Sequence, residues 1–290
     1  VYDGKLEALK GIDLDIPKGS FFGMLGPNGA GKTTTIGIIT GLVNLTSGSV
    51  EVMGHDVIKD YKKSRKLIGL SPQELNFDVF FPIRDVLALN AGYYGLSNKN
   101  AYDRADMMLE QFGLTEKSKN TARELSGGMK RRVQIAKALV HDPEVLILDE
   151  PTAGVDIELR YMLWDYLKQI NNHGKTIILT THYIEEAESL CDEVAIINNG
   201  EIIKQDAPEN LINMLGNNNI MVRFIPNGDL PDLTPFDYKI KNDLIEFSTK
   251  DPNKDLPRII TKLNEFSIDI LEINTSKSSL EDVFVKLTND

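Results

Sequence analysis

Gly26-Pro27-Asn28-Gly29-Ala30-Gly31-Lys32-Thr33 follows the apolar run Phe21–Leu25 and precedes a stretch, Thr33 to Leu42, with helix-forming spacing. Two glycines separated by four residues, then Lys and a hydroxyl residue, make the Walker A pattern, and a strand-to-helix setting is the context it requires. In such a loop the backbone amides of Asn28 through Thr34 face one concavity at a helix start. Unpaired donors and the helix dipole both favour an anion there. Lys32 sets a positive charge against β and γ phosphates, and the Thr33 hydroxyl suits a magnesium ion bridging them. This stretch predicts a parallel α/β sheet with a nucleotide-phosphate site at one strand end.

Two further short runs, Val145–Leu148 and Thr176–Thr181, are rich in apolar and β-branched residues and read as buried parallel strands. The first ends in Asp149 and Glu150, the second in His182. Between them Leu159, Leu163, Tyr166, Leu167 and Ile170 recur at helical spacing, and Gly174 is placed to end that helix. Glu193 to Ile197 and Glu201 to Lys204 flank Asn198-Asn199-Gly200, where the Asn-Gly pair favours a tight hairpin. Upstream, Ser71-Pro72-Gln73 closes an apolar run. From about Ser71 to Arg123 the pattern turns helical and loop-rich, with Phe77, Phe80, Phe81, Tyr93 and Tyr94. Ser126 of Leu125-Ser126-Gly127-Gly128-Met129 is suited to cap a helix running through Leu139, and the two glycines leave its first turn open.

Beyond about Gly216 the run Asn217 to Asn219 reads as a linker. Strand-like Ile220 to Ile225, Tyr238 to Ile240, Leu244 to Phe247 and Ile268 to Ile273 follow, with helices between and after. Ser278 with Glu281 reads as a capping box for the last helix, which carries Leu280, Val283, Phe284 and Leu287. This tail carries no catalytic motif.

The chain has 290 residues and a formal net charge of -11, a balance that repels nucleic-acid phosphates over the surface as a whole. Nucleic acid is not an expected partner. No apolar run reaches the roughly 18 to 20 residues that cross a bilayer as a helix, and no secretory leader pattern opens the chain. A cytoplasm-facing protein is expected. Val1 is not a Met, which leaves a truncated N-terminus as one reading. Cys191 is the sole cysteine, expected as a buried thiol. His55, His141 and His173 have no motif around them and read as surface residues. No His or Cys spacing suits a protein-built metal cage, so magnesium carried with the nucleotide is the metal expected.

With the Ser126-Gly127-Gly128 segment standing between Walker A and the Asp149-Glu150 strand, the chain resembles the ATP-binding cassette (ABC) family over nearly its whole length. Within the family it is similar to ABC-2 type exporters, the daunorubicin-resistance-like group. Pro151-Thr152-Ala153-Gly154-Val155-Asp156, Leu125-Ser126-Gly127-Gly128-Met129-Lys130-Arg131-Arg132 and Ser279-Leu280-Glu281-Asp282-Val283-Phe284 carry that narrower likeness. The resemblance implies a P-loop NTPase with a RecA-like core and a helical subdomain at about 74–140. Residues 1–215 would form the nucleotide-binding domain and 216–290 a small C-terminal α/β domain.

It further implies that Asp149 acts at the magnesium and that Glu150 is the catalytic base. Gln73 is implied as the Q-loop residue contacting magnesium or water, and His182 as the switch histidine sensing the γ-phosphate. Gly26 through Thr34 hold the phosphates, and Tyr2 is the candidate to stack on adenine. Ser126, Gly127 and Gly128 would bind the γ-phosphate of a second subunit, with Asp156 lining that interface. One chain would then not complete its own site, and a twofold homodimer is the simplest solution. Met129 stands where the family has Gln, which leaves the backbone of Gly127 and Gly128 to carry the resemblance there. The implied work is ATP-driven export through a separate membrane permease, at the cytoplasmic face. Phe77, Phe80 and Phe81 are candidates to line a groove for a short permease helix, with core packing as the alternative. A soluble cassette ATPase acting on ribosomes or DNA, and an importer subunit, are the other readings.

Overall fold

The computed structural model describes residues 7–76, 78–215, 218–225, 233–249, 251–266, 268–276 and 279–289. Tyr2, Phe77, Asn217 and Ser278 lie outside them. The chain divides into two units, one up to Ala207 and one from Pro208.

In the first unit the order is β1 (Phe21–Leu25), α1 (Lys32–Thr40), β2 (Glu51–Val52), β3 (His55–Asp56), α2 (Tyr61–Lys66), β4 (Ile68–Ser71), α3 (Ile83–Tyr93), α4 (Asn98–Gln111) and α5 (Gly127–Leu139). It continues through β5 (Val145–Asp149), α6 (Ile157–Asn172), β6 (Thr176–Thr181), α7 (Ile184–Leu190), β7 (Glu193–Asn198) and β8 (Glu201–Asp206). Helices α3 and α4 lie within the stretch from about Ser71 to Arg123 that reads as helical, and α5 is the helix expected after Ser126. Six strands form one sheet in the order β4-β5-β6-β1-β7-β8. All neighbours pair in parallel except β7 with β8.

Every residue of β1, β5 and β6 is buried. Both faces of these strands are therefore covered, which is why they read as continuous apolar runs and not as alternating ones. On one face Phe22, Met24, Ile147, Ile178 and Ile197 pack with Ile36 and Ile39 of α1. The β7–β8 hairpin turns through Asn199 and Gly200 at φ 49° and 81°, the paired left-handed conformations of the turn that Asn-Gly favours.

Register fixes what these strands present. Ser71 stands opposite Leu148, Asp149 opposite Thr180 and Leu25 opposite Thr181. Four parallel strands thus end within a residue or so of one another on the same edge, the edge where α/β sheets bind ligands.

The expectation that His141 is a surface residue is corrected. Its ring stacks on Tyr94 with centroids 3.5 Å apart and planes 5° from parallel, and its Nε2 lies 3.1 Å from the Ile68 carbonyl. Its Nδ1 is buried without a partner. Burial first, with Arg104 and Lys175 adding to it and the Ile68 and Asp142 oxygens opposing, pushes its pKa down from 6.5 to about 4. The unfolded chain therefore binds the extra proton first. Stability is complete above pH 6.5 and falls as pH drops toward 4, by about 1–2 kcal/mol once screening at a partly exposed ring is allowed for. Denaturant unfolding at pH 7 and pH 5 should show that loss in the parent and a smaller one in His141→Phe. Equal losses in both would clear His141 of the effect.

In the second unit α8 (Pro208–Leu215) precedes β9 (Asn218–Phe224), β10 (Asp237–Lys241), β11 (Leu244–Thr249), α9 (Pro252–Glu265), β12 (Ile270–Ser276) and α10 (Leu280–Asn289). The strands form an antiparallel sheet in the order β10-β11-β9-β12. Ile220, Val222, Phe224, Ile245 and Phe247 pack with Ile259 and Leu263 of α9. Two details differ from the sequence reading. Asn218 and Asn219 are ladder residues opposite Thr249 and Ser248, not linker. Ile268 closes the end of α9, its N–H donating to the Leu263 carbonyl, so the strand begins only at Ile270. Ser279 and Asp282 cap α10 reciprocally: the Ser279 N–H donates to Asp282 at 2.8 Å, and the Asp282 N–H to Ser279 Oγ at 3.2 Å.

Candidate functional site

The loop between β1 and α1 wraps its own lysine. Gly29 and Gly31 adopt φ 82° and 114°, conformations that cost other residues strain. Gly26 is needed for a different reason. A Cβ there would lie 2.4 Å from the Ile197 carbonyl oxygen. Lys32 Nζ donates to the carbonyls of Gly26 at 2.7 Å and Pro27 at 3.1 Å, which holds the ammonium under the loop. Burial lowers its pKa, and the carboxylates of Glu150 and Asp149 oppose that. The Thr33 hydroxyl lies 3.4 Å from Asp149 Oδ2, and Thr180 donates its hydroxyl to Asp149 Oδ1. Asp149 and Thr33 thus offer two hard oxygens side by side.

Glu150 is buried and sits at φ 48°, a left-handed conformation uncommon for a non-glycine residue. Its N–H donates to the Thr180 carbonyl at 3.0 Å, which pins the turn to β6. Gln73 Nε2 donates to Glu150 Oε2 at 3.0 Å, and His182 Nδ1 stands 3.2 Å from Oε1. Three residues from three strand ends therefore meet at one carboxylate. A carboxylate has about four lone-pair directions, so one on each oxygen is left to accept from water.

Ser126 and Asp156 begin helices. Ser126 Oγ accepts from the Met129 N–H at 3.3 Å and Asp156 Oδ1 from the Leu159 N–H at 2.8 Å. Accepting uses a Ser126 lone pair and leaves its O–H to donate. The Gly128 position lies against α6, where a Cβ would stand 2.4 Å from Leu159 Cδ2, whereas a Cβ at Gly127 would meet open space.

Two groups escaped the sequence reading. Glu186 on α7 is buried, and its Oε1 accepts from the Thr152 hydroxyl at 3.0 Å and from Trp164 Nε1 at 3.1 Å. It ties the turn after Glu150 to α6 and α7. Burial raises its pKa, chiefly, with hydrogen bonds opposing. Arg131 and Gln134 on α5 are also buried and bond the backbone around Gln73. Desolvation lowers the Arg131 pKa, and Asp149 and Glu150 oppose it. A charged residue one turn after a helix cap carries no local signal of such a partner. Cys191 is buried, as expected, and burial raises its pKa well above the usual thiol range.

Among the described residues no helix is long and apolar enough to cross a membrane, and no group of three or more His, Cys, Asp or Glu side chains is placed to hold a metal. Residues 9–153 match the family model for ABC transporters. The chain is similar to the linearmycin resistance ATP-binding protein LnrL of Bacillus subtilis, 37% identical over 98% of this chain and 94% of that protein. It is likewise similar to the daunorubicin resistance ATP-binding protein DrrA3 of Streptomyces coeruleorubidus, 34% identical over 99% of this chain and 93% of that one. Among solved structures, a dimeric post-hydrolysis state of an ATP-binding cassette bound to ADP and Pi matches with a TM-score of 0.64 and 28% identity, covering 69% of this chain and 90% of the other. With a phosphate loop, a carboxylate pair and a capping serine-glycine-glycine segment on a RecA-like α/β core, the chain belongs to the ATP-binding subunits of ABC transporters.

Proposed function

We propose that this chain hydrolyses ATP as one half of a homodimer and so powers export through a separate membrane permease at the cytoplasmic face. The observation that carries the proposal is the Glu150 carboxylate held between Gln73 and His182. In this reading residues 1–215 bind nucleotide, with the helical subdomain at about 74–140, and 216–290 form an accessory domain. Gly26 through Thr34 hold the phosphates of ATP, with Lys32 leaving its carbonyl partners to meet the β and γ phosphates.

Magnesium fits the donor set. Thr33 and Asp149 supply adjacent oxygens, with Gln73 alongside, and an ion that keeps its waters and leans on substrate phosphates needs no larger protein cage. Held there, it would supply positive charge to offset that of the phosphates. Glu150 accepts a proton from the attacking water as its oxygen bonds to the γ-phosphorus and the bond to ADP breaks, giving ADP and phosphate. His182 donates to Glu150 from Nδ1 and keeps Nε2 for the γ-phosphate or the water.

Ser126, Gly127 and Gly128 would meet the γ-phosphate bound by a second copy, with Asp156 at the same interface. The dimer in the matched solved structure supports this arrangement. ATP then favours the closed pair, and loss of the γ-phosphate releases it. Phe80 and Phe81 are 72% and 47% exposed, which supports the reading that they line a groove for a permease helix. The two relatives above are named as resistance ATP-binding proteins, which supports export as the direction.

Mixing tests site sharing. Lys32→Ala and Ser126→Arg should each be inactive alone. Equimolar mixing should restore measurable ATPase, because one composite site in the mixed dimer is intact. No recovery across mixing ratios would favour sites complete within one chain.

A further inference from the structure

Arg131, Gln134 and Lys137 stand at three-residue intervals along α5, so they share one face of the helix. That face grips the segment following β4 carbonyl by carbonyl. Arg131 Nη1 donates to the carbonyls of Pro72 at 3.3 Å and Gln73 at 3.1 Å. Gln134 Nε2 donates to Pro72 at 2.7 Å and Glu74 at 2.6 Å, and its Oε1 accepts from Arg131 at 3.2 Å. Lys137 Nζ donates to the Asn76 carbonyl at 3.1 Å. Residues 72 to 74 are thus held on every carbonyl by side chains of one helix. The Gln73 side chain is left to point the other way, to Glu150.

We infer that Arg131 and Gln134 are positioning residues for hydrolysis: they tie the Gln73 segment to α5, so that Gln73 stays set against Glu150 while Ser126 meets the second copy's nucleotide. This rests on the proposed roles of Glu150 and Ser126. A free segment would let Gln73 sample many placements, whereas a segment clamped at three successive carbonyls has few. Loss of a positioning group by about an ångström is enough to cost tenfold to about a hundredfold in rate. The cost of the clamp is a buried guanidinium and amide, which is tolerable because the partners are all in place.

The test is steady-state ATPase and equilibrium ATP binding on the full chain, using Arg131→Met, Gln134→Met, Gln73→Ala and the pairwise combinations with Gln73→Ala. Each methionine variant should lower kcat by about tenfold or more while KM and the ATP dissociation constant move less than about threefold. Adding either to Gln73→Ala should cost little beyond Gln73→Ala alone, because both act through one side chain. General loosening would instead multiply the losses. Should Arg131→Met fail to fold, Gln134→Met carries the same expectations. Parental kcat in the methionine variants, or fully multiplicative losses, would overturn the clamp while leaving ATP hydrolysis intact. A parent chain that binds ATP without turning it over would remove the functional reading itself.

Discussion

Glu150→Gln binds ATP and stops. The substitution preserves size and one acceptor oxygen but removes the group that takes the proton from water, so turnover should fall by about 10²–10⁴-fold, the usual worth of a positioned base. Nucleotide affinity should hold or rise, since a carboxylate facing the γ-phosphate is replaced by a neutral amide. With hydrolysis blocked, the ATP-bound pair has no exit by chemistry, and light scattering after gel filtration with ATP and magnesium should report a dimer where the parent gives monomer. Retention of near-parental turnover would strip Glu150 of the base role. Slow turnover with no dimer would leave the base role standing and remove ATP-driven pairing. The same trapped variant, purified from membranes, should bring a multi-span protein with it. Ribosomal or DNA-processing partners in its place would redirect the reading to a soluble cassette ATPase.

Lys32→Ala should lose affinity for ATP by about a hundredfold, which is what roughly two charge-assisted contacts to phosphate are worth. Its effect on folding should run the other way. The Lys32 ammonium is buried with two carbonyls as its hydrogen-bond partners, and burial outweighs the neighbouring carboxylates in setting its pKa. Removing it relieves a desolvated charge, so the melting temperature of the nucleotide-free chain should hold or rise slightly. ATP should then stabilise the parent but not the variant, because ligand adds stability only in proportion to binding. A variant that melts several degrees lower and still binds ATP normally would mean that Lys32 serves the loop's architecture and not the phosphates.

The parts of the fold visible in the sequence were those where one local signal suffices. β1, β5 and β6 are short, wholly apolar and each runs into a polar motif, and their observed ranges match that reading within a residue. The hairpin at Asn199-Gly200 was legible because the turn dictates its residues. The two-residue ladder of β2 and β3 was not, being too short for any period. Asn218 and Asn219 misled because two polar residues at a strand's start look like loop in sequence, although they pair in the ladder. In the site, Gln73, Glu150 and His182 stand in local motifs and the structure brings their side chains together, whereas Arg131, Gln134 and Glu186 have no such motif around them. Arg131 meets backbone 58 and 59 residues away, and no window of sequence contains both ends of that contact. His141 failed for the same reason, its neighbours being supplied by α3 and β4.

The left-handed backbone at Glu150 separates two kinds of selection. A residue forced to φ 48° without being glycine carries about 1 kcal/mol or more of local strain, and glycine would accept that conformation freely. A library randomised at position 150 and sorted for soluble expression should therefore drift toward glycine and asparagine. Sorted for growth that depends on transport, the same library should return glutamate. The gap between the two distributions would measure, at a single position, how much folding this protein forgoes in order to turn over ATP.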